Sequence, residues 1–135
     1  MPTIKTKYLG ELRTHATHVR SGNTLITDAP VDNKGKGEAF SPTDLLATSL
    51  GSCAMTIIGI AAQTHGFNVD GTEIRITKIM AETPRRVGEV ILEFDFPKNN
   101  YSGKEKVIIE NAARTCPVAK SLNQELKQTI IFSYH

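Results

Sequence analysis

Residues 41–62, SPTDLLATSLGSCAMTIIGIAA, decide how this chain is read. Ser41 is placed to cap a helix, Pro42 suits the first turn, and Asp44 falls where a capping-box carboxylate reaches back. Gly66 supplies a C-terminal stop, so the spacing predicts one helix from Pro42 to His65. A helix of that length spans about 36 Å, whereas a compact domain of this size has a radius of gyration of only roughly 14 Å. Leu45, Leu46, Leu50, Ile57, Ile58 and Ile60 spread apolar surface around most of its circumference. Burial on several sides is therefore expected, and a partner subunit is the simplest way to provide it.

Working outward, residues 3–28 read as short strands, with a bend at Tyr8-Leu9-Gly10 and a turn at Arg20-Ser21-Gly22-Asn23. Residues 29–40, APVDNKGKGEAF, are the least regular segment and form a candidate rim ahead of the helix. Beyond the helix, Thr72 to Met80 is amphipathic through Ile74 and Ile76. Val90, Leu92, Phe94 and Phe96 then alternate with Ile91, Glu93 and Asp95, a half-buried strand. Pro84-Arg85-Arg86 marks the connection between the two.

A second helix opens on the Ser102…Glu105 capping pattern, carries Val107, Ile108 and Ala112 on one face, and stops at Pro117. A third places Val118, Leu122 and Leu126 at four-residue spacing, and residues 128–134 close the chain as a strand. Strands and helices in blocks predict an α+β fold in one domain, residues 1–135.

Composition excludes several classes. At 135 residues the chain is long enough for a core without staples. Its 39% hydrophobic and 22% charged residues are an ordinary globular balance. A net charge of +2, with no like-charge block beyond Arg85-Arg86, argues against nucleic acid as a partner. The uncharged run from Leu45 to Thr64 is long, but it is too polar and too well capped to be expected in a membrane. MPTIKTKYLG lacks the apolar centre of a signal peptide, and two cysteines without a secretory signal point to a reducing cytoplasm.

Those two cysteines carry the chemistry. Cys116 stands before Pro117 in RTCPVAKSL, where it would cap a helix beginning at Pro117. Free N–H groups and the helix dipole there favour a thiolate, which lowers the pKa and makes a good leaving group. The competing reading is a thiol that fills space between two helices, and spacing alone leaves the two even. For Cys53, among Leu46, Leu50 and Ile57, the structural reading leads slightly, because free cysteine is one of the most buried residue types. An apolar pocket around a thiolate is equally what an enzyme acting on greasy peroxides needs, given a cation from another segment. His15 and His18 face opposite ways on a strand, no CxxC is present, and GKG at 35–37 lacks the context of a phosphate loop.

SPTDLLATSLGSC with its long apolar helix, followed by TCPVAKSL, resembles the osmotically inducible protein C / organic hydroperoxide resistance (OsmC-like) family across essentially the full chain. The resemblance implies antiparallel sheets packed around the long central helix in an intertwined homodimer, with two active sites at the subunit interface. It implies a thiol-dependent peroxidase acting on organic hydroperoxides, with hydrogen peroxide as a second candidate substrate. Cys53 would attack the O–O bond, Cys116 would resolve the sulfenic acid as a disulfide, and a dithiol reductant would reset the pair. No metal or other cofactor is implied. Peroxidase members carry a glutamate where this chain has Thr43, and they hold the thiolate with an arginine from the N-terminal part. Arg20, in the predicted turn, resembles that arginine's placement. These departures keep an alternative in play: a small-ligand-binding or redox-sensing dimer with the same fold and little turnover.

Overall fold

The capping box at Ser41 forms as the sequence predicts. Asp44 N–H donates to Ser41 Oγ at 3.0 Å, and Ser41 N–H donates to Asp44 Oδ2 at 3.0 Å. Helix α1 then runs over Pro42–His65 and ends on Gly66, whose φ of 77° lets Phe67 N–H reach back to the Ala62 carbonyl. The computed structural model describes all residues 1–135, which form two compact units, Met1–Leu46 and Ala47–His135. The architecture is α+β, with two three-stranded sheets.

In the first unit, β1 (Ile4–Gly10), β2 (Arg13–His18) and β3 (Thr24–Asp28) form an antiparallel meander. The first reversal falls at Glu11 and Leu12 rather than in the expected bend at 8–10. Both residues have positive φ, at 54° and 64°, and the register slips between Tyr8 and Gly10. The second turn is the predicted one: His18 N–H donates to Asn23 O at 2.7 Å, and Gly22 takes φ 77°.

Residues 29–40 are irregular apart from a 3-10 turn at Val31–Asn33 and a bridge from Phe40 to Thr27. Their anchor is Asp28, almost fully buried, which accepts from Arg13 Nε at 2.7 Å, Arg13 Nη2 at 2.9 Å and Glu38 N–H at 3.1 Å. Arg13 also bonds Glu38 at 2.9 Å, so one guanidinium ties the strand to both ends of the loop.

The second unit holds β4 (Glu73–Ala81), β5 (Arg86–Asp95), α2 (Gly103–Ala113), α3 (Pro117–Ser121) and β6 (Lys127–Ser133). β4 and β5 pair antiparallel, but β6 lies parallel to β5, so this sheet is mixed where an antiparallel one was expected. Two helices separate β5 from β6, and that length of connection is what a parallel return needs. Val90, Leu92 and Phe94 are buried in β5, as the alternation required.

Below the sheet, Phe94, Phe96, Phe132, Tyr134 and Tyr101 form a continuous ring cluster, with Phe94 and Phe132 centroids 5.5 Å apart and Phe96 and Tyr134 5.1 Å apart. α1 lays Ala47, Leu50, Gly51, Ala54, Ile58 and Ala62 into the core. Gly51 is required there: a Cβ would stand 2.5 Å from Ile76 Cδ1 and 3.3 Å from Leu92 Cδ2. Within the single chain the helix is thus covered along one stripe, not on several sides, and Ile60 is 55% exposed.

Three local expectations change. α2 has its Ser102–Glu105 capping box, but Ile109, Ala112 and Ala113 face the core while Val107 is exposed. α2 ends at Ala113, and Pro117 begins α3 instead of stopping α2. α3 is a single turn: Leu122 is already extended, and Leu126 is buried beyond it, outside the helix.

Candidate active site

Cys53 sits midway along α1, half-buried, one turn from Leu50 and beside fully buried Ala54. Two residues before it, Gly51 lets the helix press onto β4 and β5. Cys116 is the N-cap of α3, as its place before Pro117 predicted, and it is fully buried. Its extended backbone (φ −70°, ψ 149°) turns Sγ back over the helix end, where Ala119 N–H donates to it at 3.3 Å. The Val118 N–H acts on the thiol in the same direction, more weakly.

These two thiols, remote in sequence and both within the second unit, come within hydrogen-bonding reach of one another. α3 is held in place from below, since Gln128 Nε2 of β6 donates to the Ala119 carbonyl at 3.1 Å. Behind it, Thr115 caps the end of α2 with its N–H and Oγ1 both directed at Ala112 O.

Of the two readings that spacing left even for Cys116, the electrostatics favour the enclosed thiol. Burial pushes this thiol above its ordinary pKa. The Ala119 and Val118 N–H groups pull it down, and the neighbouring Cys53 thiol pushes it up again. Desolvation of a fully enclosed sulfur outweighs two neutral donors, so Cys116 is a protonated thiol in the resting protein. The amide donors are the free N–H groups expected at a helix start after Pro117, whereas Gln128 was not foreseen, because it reads as an ordinary strand residue.

Arg20 lies exposed in the β2–β3 turn of the first unit, in a loop closed by His18 Nδ1 and Ser21 Oγ at 2.6 Å. Thr43 Oγ1 stands 3.2 Å from Ser41 Oγ in the first turn of α1, and Asp44 is held in the capping box.

The family model for OsmC-like protein matches residues 35–130. This chain belongs to the OsmC-like family. A solved relative from Psychrobacter arcticus 273-4, provisionally named an osmotic stress induced and detoxification response protein, is 53% identical over 98% of this chain and 96% of that one, with a TM-score of 0.94. The fold is shared at lower identity with an organic hydroperoxide resistance protein OsmC from Legionella pneumophila (18% identical, 98% of both chains, TM-score 0.77). An organic hydroperoxide resistance protein from Elizabethkingia anophelis is likewise similar (16% identical, 100% and 98% covered, TM-score 0.76). No curated protein matches the sequence.

Proposed function

We propose that this OsmC-like protein is a cytoplasmic thiol peroxidase that reduces organic hydroperoxides through Cys53 and Cys116. The observation that carries this reading is the meeting of the chain's two cysteines at one place. Cys53 is the half-buried thiol and Cys116 the enclosed one, which suits the first to attack and the second to resolve.

In the first step the Cys53 thiolate attacks the distal oxygen of R–O–O–H. The O–O bond breaks, R–O⁻ leaves and takes a proton as R–OH, and Cys53 becomes a sulfenic acid. In the second, Cys116 sulfur attacks Cys53 sulfur, an S–S bond forms, and hydroxide leaves with the Cys116 proton as water. A dithiol then returns both cysteines to thiols and is itself oxidised to a disulfide. Neither step calls on a metal or prosthetic group. Arg20 is the cation assigned to the Cys53 thiolate, on the strength of the family resemblance.

An intertwined homodimer belongs to the same reading, because Ile4, Tyr8, Leu25 and Ile60 are large apolar side chains left exposed on the single chain.

The test is a titration of free thiols after one equivalent of cumene hydroperoxide, with hydrogen peroxide in parallel. Wild type is expected to lose both thiols as an intramolecular disulfide, faster with the organic peroxide. Cys53→Ser is expected to consume none, and Cys116→Ser one equivalent per site without turnover. Arg20→Ala is expected to slow Cys53 oxidation at least roughly tenfold, with Arg20→Lys restoring only part, since a lysine point charge does not reproduce the guanidinium fork. Thiols that persist for hours in the folded wild type sink the peroxidase and leave a ligand-binding or redox-sensing dimer.

A further inference from the structure

We infer that reduction of the oxidised site is regiospecific: the reducing thiol attacks Cys53 sulfur, and Cys116 is the leaving group. This rests on the proposed redox pair, but on the disulfide alone and not on how peroxide makes it.

Access to the two sulfurs selects the direction. Thiol–disulfide exchange needs the incoming sulfur in line with the bond that breaks, so the attacked sulfur must be open on the side opposite its partner. Cys53 has exposed surface on α1, beside exposed Ser52, whereas Cys116 is enclosed, with 0% exposure. Pro117 and Thr115 on either side of Cys116 are exposed, so the enclosure belongs to the sulfur and not to the segment.

The leaving sulfur is not favoured by its charge, because burial holds the Cys116 thiol above its ordinary pKa despite the Ala119 N–H that donates to Sγ at 3.3 Å. The direction therefore rests on access, and Cys116 departs with uptake of a proton.

Written out, a thiolate R–S⁻ attacks Cys53 Sγ and forms R–S–S–Cys53. The Cys53–Cys116 bond breaks, and its electron pair leaves on Cys116, which takes up one proton from solvent. With a dithiol, the second sulfur then attacks the reductant's own sulfur in the mixed disulfide. The cyclic disulfide departs and Cys53 is released as thiolate.

Tryptic cleavage separates the two sites, giving residues 37–75 around Cys53 and residues 115–120, TCPVAK, around Cys116. The disulfide is made with diamide instead of a hydroperoxide, so peroxide turnover and reduction are read separately. Excess cysteamine is added, the reaction is quenched in acid at several early times, and freed thiols are blocked with N-ethylmaleimide before digestion. The expected product carries cysteamine on 37–75 and maleimide on 115–120, in roughly tenfold or greater excess over the reverse.

The reverse pattern, or an even mixture at the earliest times, overturns the inference. So does a folded protein in which diamide makes no Cys53–Cys116 disulfide. A protein that forms the disulfide with diamide but not with cumene hydroperoxide loses the peroxidase proposal, while the regiochemistry is still read. Single-thiol variants give a second measurement: Cys53 in Cys116→Ser is expected to react with 5,5′-dithiobis(2-nitrobenzoate) roughly tenfold or more faster than Cys116 in Cys53→Ser. Equal rates also overturn it.

Discussion

The sheet β1–β2–β3 and the sheet β4–β5–β6 have the same number of strands and opposite relations to apolar packing. In the first, the only buried strand residues are Thr27 and Asp28, both polar, while Ile4, Tyr8, Leu9, Leu25 and Ile26 are exposed. In the second, Val87, Val90, Leu92 and Phe94 are buried, and Phe94 continues into a stack with Phe96, Phe132 and Tyr134 that Tyr101 meets edge-on. Backbone ladders are worth little net stability once exchange with water is counted, and side-chain burial decides. The second unit therefore has its own apolar core. The first is ordered by its ladders, an ion pair and whatever surface its exposed face meets. Both thiols sit on the unit with the core, where a reacting geometry can be held rigidly.

The largest expected effect lies in that core. Phe94→Ala removes a ring stacked on Phe96 and Phe132 and is expected to cost about 3–5 kcal/mol in urea unfolding. Leu25→Ser, on the first sheet, is expected to change the unfolding of the dissociated chain by no more than about 0.5 kcal/mol. Similar losses from both would break the contrast between the sheets. Next comes association. Ile4→Asp with Leu25→Asp is expected to convert the proposed dimer to monomer in sedimentation velocity while far-ultraviolet dichroism is kept. Wild type that already sediments as a monomer would show that no second copy covers this face.

The same contrast explains what the sequence made legible. α1 was readable to the residue because its signals are local: Ser41 and Asp44 at one end, Gly66 at the other. β5 was readable because one face is buried and the other is not, which imprints a period of two. The first reversal was not, because Glu11 and Leu12 adopt positive φ where a two-residue turn normally signals itself with Asn or Gly. α2 offered three consecutive apolar residues, Val107, Ile108 and Ile109, and periodicity alone does not choose among them.

Strand direction in β6 is set by the path of the connection, and its alternation reads the same either way. At the site, the N-cap position of Cys116 was legible from Pro117, but its charge state was not. The cap is a neighbour in sequence, whereas the burial that outweighs it comes from elements far along the chain.

The smallest expected effect is local to the first unit and tests what holds it in place of a core. Arg13 keeps the Asp28 carboxyl below its usual pKa, chiefly through its hydrogen bonds and despite burial. A carboxyl depressed in the folded state stabilises it above the unfolded value of about 3.9, and that contribution is lost as pH falls through the lower folded value. The protection factor of the Glu38 amide, which donates to Asp28 Oδ2 at 3.1 Å, is therefore expected to stay flat from neutral pH to about 4 and to fall only below it. Asp28→Asn is expected to lower that protection at neutral pH and to abolish the acid step. Arg13 is 31% exposed, so added salt is expected to weaken the latch in the wild type as well. Amides of β5 are expected to respond to neither change, because Val90, Leu92 and Phe94 hold that strand through apolar contact. An acid step of equal size in β5 and at Glu38 would mean that the two units open together and that the difference between the sheets has no energetic counterpart.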